Sequence, residues 1–177
     1  MSNYTVATII SEEERLRMLR ITEGEPEIAH QDYNLFHLEK WYVQNNERCQ
    51  SIDDCTDRPA VGNQYILRYS EGSFTRMHSD DDAKVGQTIV TLLHEDSLVG
   101  GETLIMNEYE KRPRKRGHYA KRSGKGAEPY GRHIIPTIVD LKVGESVIYK
   151  HNVSHGVCQV KKGERIVLVS WYGDYKS

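Results

Sequence analysis

The first 62 residues carry hydrophobic positions at a helical spacing. Ser11 is followed by three glutamates, a capping-box pattern in which Ser11 caps the first turn and Glu14 reaches back to it. Leu16 and Leu19 then share one apolar stripe. The pattern predicts an α-helix that begins directly after Ser11.

A second stripe of the same kind lies further along this N-terminal part. Leu35, Leu38 and Tyr42 recur every three or four residues, which predicts another helix over residues 32–44. Residues 44–62 are rich in Asn, Asp, Pro and Gly, and these residue types favour turns. We therefore expect residues 1–62 to form a helical support that a connector joins to the rest of the chain.

From residue 63 onward the hydrophobic residues alternate or occur in short runs between turn residues, which is the all-β pattern. Strands are predicted near 64–69, 74–78, 87–93, 102–106, 137–140, 146–149, 155–160 and 165–172. Eight short strands favour a jelly roll, in which two facing sheets enclose one pocket. The predicted fold class is mainly β, a double-stranded β-helix (jelly roll) over 63–177 with the N-terminal helices packed on the outside of one sheet.

The last predicted strand is apolar on both of its faces. One face carries Arg165, Val167, Val169 and Trp171, and the other carries Ile166 and Leu168. A strand of this kind is central in its sheet and is covered on its back, and the N-terminal helices are the expected cover. Gly163 is predicted to take a positive φ in a tight turn that sends the chain back from the strand before it.

Length and composition narrow the class of protein. A chain of 177 residues, 37% hydrophobic and 28% charged, is expected to form a single soluble globular domain over 1–177. No apolar run approaches the ~18 residues of a membrane helix, and the start lacks the pattern of a signal peptide. Cysteines at 49, 55 and 158 show no metal or disulfide spacing. We expect free thiols, a cytoplasmic location and no membrane partner.

The charge is concentrated in one segment. Residues 107–136 hold nine basic and three acidic residues, a net charge of +6, whereas the rest of the chain carries −8. Interleaved glycines and prolines predict a long loop. We expect this basic loop to be a substrate-facing flap that attracts an acidic partner, with Arg112, Arg114 and Arg116 as candidate substrate contacts. The alternative is a solvated insertion, and a nucleic acid partner is not expected because no recognised binding fold accompanies the charge.

Two residues at the end of a predicted strand have metal-binding chemistry. His78 and Asp80 are two apart and project to one face, so one imidazole and one carboxylate can share a metal ion. Alone, this pair is weak evidence. His151 and His155, near the C-terminal end, are the two rival candidates for the third ligand. Two histidines and one carboxylate with open positions form the facial triad of non-haem Fe(II) oxygenases.

At this point the sequence resembles the Fe(II)/2-oxoglutarate-dependent dioxygenases, and among them the prolyl 4-hydroxylase-like group. The resemblance covers residues 63–172 and consists of five pieces in the family's order, each weak alone and strong together. They are Tyr69–Phe74, His78–Asp80, Gly100–Thr103, Val143–Ile148, and His155–Val157 with Val160, Gly163, Arg165 and Trp171.

The resemblance implies a role for each matching residue. The iron ligands are His78, Asp80 and His155. Arg165 pairs with the distal carboxylate of 2-oxoglutarate, a buried acid that a guanidinium suits well. Prolyl 4-hydroxylases often have Lys there, so Arg165 departs from their pattern. The remaining matches are Tyr69 and Thr103, expected at the 2-oxoglutarate site, and Trp171, expected near the substrate entrance.

The resemblance also implies an activity. It is the oxidative decarboxylation of 2-oxoglutarate with O2, to succinate and CO2, coupled to hydroxylation of a substrate C–H bond, with ascorbate as reductant. The expected substrate is a prolyl or other residue in a peptide, with a free amino acid or small molecule as the second candidate. Two alternatives remain: a non-catalytic jelly-roll module that binds an acidic polymer, and a cupin, although cupins use H-x-H followed by Glu where this chain has Asp80.

Overall fold

The architecture is that of a computed structural model, which describes residues 2–32, 34–80, 84–106, 110–111, 132–133 and 136–174. Within these ranges the chain is mainly β, as predicted. The strands are β1 Tyr4–Thr8, β2 Ile28–Asp32, β3 Leu35–Tyr42, β4 Tyr65–Tyr69, β5 Phe74–His78, β6 Gln87–Gly100, β7 Thr103–Met106, β8 Glu110–Lys111, β9 Arg132–His133, β10 Pro136–Val139, β11 Glu145–Lys150, β12 His155–Val157 and β13 Val160–Tyr172. The helices are α1 Glu12–Ile21, α2 Gln50–Asp54 and a short 3-10 helix, Asn45–Glu47.

Eleven of these strands form one antiparallel sheet that curls on itself. The order across it is β1-β11-β6-β13-β4-β3-β5-β12-β7-β10, with β2 paired to β3, while β8 and β9 pair separately. All eight strands predicted after residue 63 are present in this sheet, although β6 continues well beyond residue 93. The curl brings β5 and β12 opposite β13, so that one concave interior is enclosed.

The sheet separates two hydrophobic cores. On its convex side, Met18 of α1 and Ile52 of α2 pack with Ile166 and Leu168 of β13. On its concave side, Val167 and Val169 of the same strand pack with residues of β4, β6, β7 and β11. The predicted alternation of β13, with the helices covering its back, is therefore confirmed.

The helix predicted over 32–44 is wrong, because this stretch forms strand β3. Its apolar residues Leu35 and Leu38 are three apart, yet both lie in the concave core. The cause is a bulge at His37, whose φ is +57°. In the pairing with β2, His30 lies opposite Leu38 and Gln31 opposite Phe36, so His37 has no partner there. One extra residue converts a strand spacing of two into three, which imitates a helical period.

The first 62 residues are also less helical than predicted. β1 pairs with β11 and β3 pairs with β4 and β5, so this part of the chain supplies strands to the same sheet. Only α1 and α2 fit the expected outer support.

The tight turn predicted at Gly163 is wrong as well. Gly163 has the expected positive φ of +81°, but it lies inside β13, at an irregular pairing with β6. A side chain there would meet the backbone oxygen of Asp96 at 2.3 Å, so glycine allows the two longest strands to approach each other. β12 pairs with β5 and β7 instead of with β13.

Most of the basic loop, including the candidate substrate contacts Arg112, Arg114 and Arg116, lies outside the described residues. The two strands that anchor it, β7 and β10, are described. They pair with each other, with Met106 opposite Pro136, and β7 also pairs with β12. In the described ranges no helix is long and apolar enough to cross a membrane.

Candidate active site

Three side chains with metal-binding chemistry converge inside the curled sheet. His78 ends β5, Asp80 follows two residues later, and His155 begins β12 directly opposite His78. Asp80 Oδ1 lies 3.5 Å from His78 Nε2, and its Oδ2 lies 3.7 Å from His155 Nε2. The potential ligand atoms all lie within 4.8 Å of one another. Antiparallel pairing thus brings together residues that are 77 positions apart in the chain.

Backbone contacts orient both imidazoles. His78 Nδ1 lies 2.7 Å from the carbonyl oxygen of Arg76, and His155 Nδ1 lies 3.0 Å from that of Val153. Protonated Nδ1 atoms donate to these carbonyls and leave each Nε2 lone pair directed at the centre of the cluster. Burial lowers the pKa of His155, which favours the neutral, ligating form. The pKa of His78 is raised, since its bonds to Asp80 and Arg76 outweigh the opposing effect of burial.

Gly156 explains why the motif continues with a glycine after the histidine. A side chain at this position would meet Met77 Sδ at 2.6 Å and the carbonyl oxygen of Thr75 at 3.0 Å. The absence of a Cβ therefore lets β12 approach β5 closely enough to place His155 beside His78.

Thr88 is a site residue that the sequence did not reveal. It is buried on β6, and its hydroxyl donates a hydrogen bond of 2.6 Å to Asp80 Oδ2. The side chain of Asp80 is itself only 7% exposed. The hydroxyl of Thr88 fixes the orientation of this carboxylate and leaves Oδ1 as its more available oxygen. A threonine in an apolar strand carries no sequence signal for such a role.

Arg165 lies deep in the same cavity and is 3% exposed. Its guanidinium donates to the carbonyl oxygen of Gly101 and to Thr103 Oγ1, both at 2.6 Å. None of the described carboxylates forms an ion pair with it. Burial lowers its pKa, because the charged form is costly where water is excluded. A buried cation held only by neutral groups is suited to receive an anionic ligand.

Tyr69 and Trp171, both predicted site residues, line the cavity with Arg165 and the three-residue cluster. The Tyr69 hydroxyl shares a hydrogen bond of 2.7 Å with Thr75 Oγ1, and its ring centroid lies 5.8 Å from the guanidinium carbon of Arg165. Trp171 meets Tyr65 edge-on, with ring centroids 5.5 Å apart. Its indole Nε1 is buried and has no hydrogen-bond partner among the described residues.

Two further histidines, His151 and His94, make contacts outside the cluster. His151 Nδ1 lies 3.4 Å from the carbonyl oxygen of Gly86, and His94 faces Glu164 at 3.3 Å. The structure therefore brings His155, and not its rival His151, to His78 and Asp80. The three cysteines are free, as expected.

The donor set fits the iron implied by the resemblance. Two imidazoles and one carboxylate on one side of a cavity form a facial triad, which leaves positions for other ligands. Arg165, further into the same cavity, fits the far carboxylate of a dicarboxylic acid. The three-residue cluster thus fits one metal ion, and Arg165 fits one carboxylate of a dianion.

Comparisons with solved structures find the same fold. A viral collagen prolyl hydroxylase from Paramecium Bursaria Chlorella virus-1, in its 2OG complex, shares 16% identity at a TM-score of 0.62, over 99% of this chain and 97% of that one. A Trichoplax adhaerens prolyl hydroxylase, in complex with a hypoxia inducible factor peptide fragment, shares 12% at 0.64, over 97% and 84%. The epimerase SnoN, in complex with Fe3+, alpha ketoglutarate and nogalamycin RO, shares 11% at 0.65, over 97% and 79%.

These likenesses confirm the predicted jelly-roll fold and include enzymes that act on quite different substrates. A comparison with curated protein sequences finds no match. The family model of the 2OG-Fe(II) oxygenase superfamily matches residues 65–173, which span β4 to the end of β13 and contain the whole triad. The chain therefore belongs to the 2OG-Fe(II) oxygenase superfamily, whose cofactors are Fe(II), 2-oxoglutarate and O2.

Proposed function

We propose that this oxygenase hydroxylates a C–H bond of a prolyl or other residue within a peptide, with Fe(II) held by His78, Asp80 and His155. The observation that carries the proposal is the character of the cavity wall, in which the described lining residues other than the triad and Arg165 are uncharged. Bound iron would supply the oxidising chemistry with O2 as the oxidant, and 2-oxoglutarate would be oxidised to succinate and CO2 alongside the substrate. The residues of this chain bind the cofactors, orient the substrate and exclude water.

Arg165 binds the distal carboxylate of 2-oxoglutarate in this proposal. Its contacts to Gly101 and Thr103 already hold the guanidinium in place, so little side-chain freedom is lost when the acid binds. The Tyr69 hydroxyl, tied to Thr75, lies in the same part of the cavity and offers a further polar contact. Because Thr103 accepts one of the hydrogen bonds of the guanidinium, it acts as a positioning residue for Arg165.

The remainder of the lining favours an uncharged substrate group. It is apolar and aromatic, and its members include Leu35, Tyr65, Leu67, Val90, Val169 and Trp171. A free amino acid would bring an ammonium and a carboxylate against this wall, where each unpaired charge costs several kcal/mol. A residue within a peptide presents only neutral amide groups. Lys40 does not add a charge to this lining. Its ammonium lies over the rings of Tyr42 and Tyr65, and Lys40 is not among the lining residues.

Trp171 supplies a polar contact for such a substrate. Its buried Nε1 hydrogen has no acceptor among the described residues, and a buried unpaired donor costs ~1 to 3 kcal/mol. A peptide carbonyl is an acceptor of the right kind. Trp171 and Tyr65 together form an aromatic wall against which a prolyl ring packs.

The first prediction concerns the metal. His155→Ala should abolish stoichiometric Fe(II) binding, because it removes one of the three ligands, and His78→Ala and Asp80→Ala should do the same. His151→Ala is the matched control and should bind iron as the wild type does. Anaerobic metal titration measures this. Loss of iron binding in His151→Ala with retention in His155→Ala would show that the distal ligand has been misassigned.

The second prediction concerns Thr88. Thr88→Val keeps the shape of the side chain but removes the donor to Asp80 Oδ2, so metal affinity should fall about 10- to 100-fold, the usual effect of losing such an outer contact. Thr88→Ser retains the hydroxyl and should remain near wild type. Equal affinities in the Val and Ser variants would mean that the hydrogen bond does not orient the carboxylate.

The third prediction concerns Arg165. Arg165→Ala should weaken 2-oxoglutarate binding to the Mn(II)-loaded protein by ~3 to 5 kcal/mol while sparing the metal, because it removes a charge-assisted pair from a buried carboxylate. Arg165→Lys should be intermediate. Isothermal titration calorimetry measures both, with exposed Lys162→Ala on the same strand as the control. An unchanged titration in Arg165→Ala contradicts the assignment.

The fourth prediction tests the substrate class. Proline-containing peptides with blocked termini should raise succinate formation and gain one oxygen atom by mass spectrometry, whereas free proline and other free amino acids should not. Assays contain Fe(II), 2-oxoglutarate and ascorbate. Trp171→Phe should raise the KM for the peptide several-fold and leave the KM for 2-oxoglutarate unchanged. Turnover of free amino acids or other small molecules, with blocked peptides inert, would overturn the peptide assignment.

A further inference from the structure

Tyr149 brings an unused hydroxyl into the cavity. It lies on β11, is 4% exposed and lines the same cavity as the triad and Arg165. Its hydroxyl forms no hydrogen bond with the described residues and is not among the side-chain atoms that are fully shielded from solvent. Burial, followed by the negative charge of Asp80, raises the pKa of the phenol well above the ordinary value of 10. A neutral hydroxyl on a residue that lines a cavity is a donor available to a ligand.

Strand pairing places Tyr149 at the level of the metal ligands. It lies directly opposite Thr88, the residue that donates to Asp80. Its ring centroid is 4.5 Å from that of His155. The backbone and ring of Tyr149 are therefore held beside two of the three ligands, by a sheet register and by packing.

Tyr149 lines one cavity together with both ends of the site, the metal-binding cluster and Arg165. Tyr69, which stands opposite Arg165 across β4 and β13, lines it as well. A dicarboxylic acid bound to the metal at one end and to Arg165 at the other has to cross this same region.

Resting on the proposed roles of the triad and Arg165, we infer that Tyr149 is a binding residue for 2-oxoglutarate, whose oxygens accept a hydrogen bond from the Tyr149 hydroxyl between the metal and Arg165. Carboxylate and keto oxygens are strong acceptors, so they can pair with this hydroxyl. The contact needs no movement of the sheet, because the ring is already packed against His155.

The test compares Tyr149→Phe with Tyr4→Phe in the Mn(II)-loaded protein. Phenylalanine keeps the ring against His155 and removes only the hydroxyl. Tyr4 is the cross-strand neighbour of Tyr149 on β1 and does not line the cavity, so Tyr4→Phe removes a phenolic hydroxyl at a matched position. Calorimetry with 2-oxoglutarate gives the dissociation constants, and titration with Mn(II) alone gives the metal affinity. Thermal unfolding checks that both variants are folded.

Tyr149→Phe should bind 2-oxoglutarate about 3- to 10-fold more weakly than the wild type, the effect of one hydrogen bond, with unchanged Mn(II) affinity. Tyr4→Phe should match the wild type. If Tyr149→Phe binds 2-oxoglutarate normally while Arg165→Ala does not, this inference is wrong and the proposed function stands. If the Arg165→Ala and Tyr149→Phe titrations both equal the wild type, the roles proposed for the site fail together with it.

Discussion

Strand β13 packs into two hydrophobic cores at once, one on each side of the sheet, and the rest of the structure depends on that constraint. Its residues alternate between the concave side, where Arg165 and Trp171 line the cavity, and the convex side, where Ile166 and Leu168 meet the helices. A register slip of one residue would move the guanidinium into the helix-covered core. The apolar contacts of the back therefore help to hold Arg165 in the cavity, which links the stability of the fold to the geometry of the site.

The sequence predicted the parts of the fold in which alternation is regular. The strands after residue 63 and the two faces of β13 follow from a period of two. The side chains of β13 from Arg165 to Trp171 keep this alternation even though the pairing with β6 shifts register between Ile166 and Val167. The prediction failed where one residue breaks that period. At His37 a bulge made a strand resemble a helix, and at Gly163 a positive φ inside a strand resembled a turn. Such residues are defined by the partner strand, which a single sequence does not display.

Side chains, too, divide into those whose role the local sequence indicates and those whose role depends on a distant partner segment. Ser11 caps α1 as predicted, accepting a hydrogen bond from the backbone N–H of Glu14, but the carboxylate of Glu14 does not turn back to it. It instead accepts hydrogen bonds from Ser51 of α2, so a residue interpreted as part of a local cap joins two separate segments. His78, Asp80 and His155 were recognisable because their residue types are rare in strands and their order is distinctive. Thr88 and Tyr149 have ordinary strand chemistry, and only the pairing of β6 with β11 makes them neighbours of the site.

The pairing of β6 with its neighbours β11 and β13 also explains why three hydrogen-bond donors of the cavity wall have different roles. Trp171, Thr88 and Tyr149 stand side by side on β13, β6 and β11, and each carries one hydrogen-bond donor. The central donor is used inside the protein, where it holds Asp80. The Trp171 donor is buried without an acceptor among the described residues, and the Tyr149 hydroxyl forms no hydrogen bond with them. Leaving the buried Trp171 donor unpaired lowers the stability of the protein alone, and a ligand acceptor offsets that cost. On this argument, the row holds the carboxylate firmly in its middle and keeps its two ends available, Tyr149 for 2-oxoglutarate and Trp171 for the substrate.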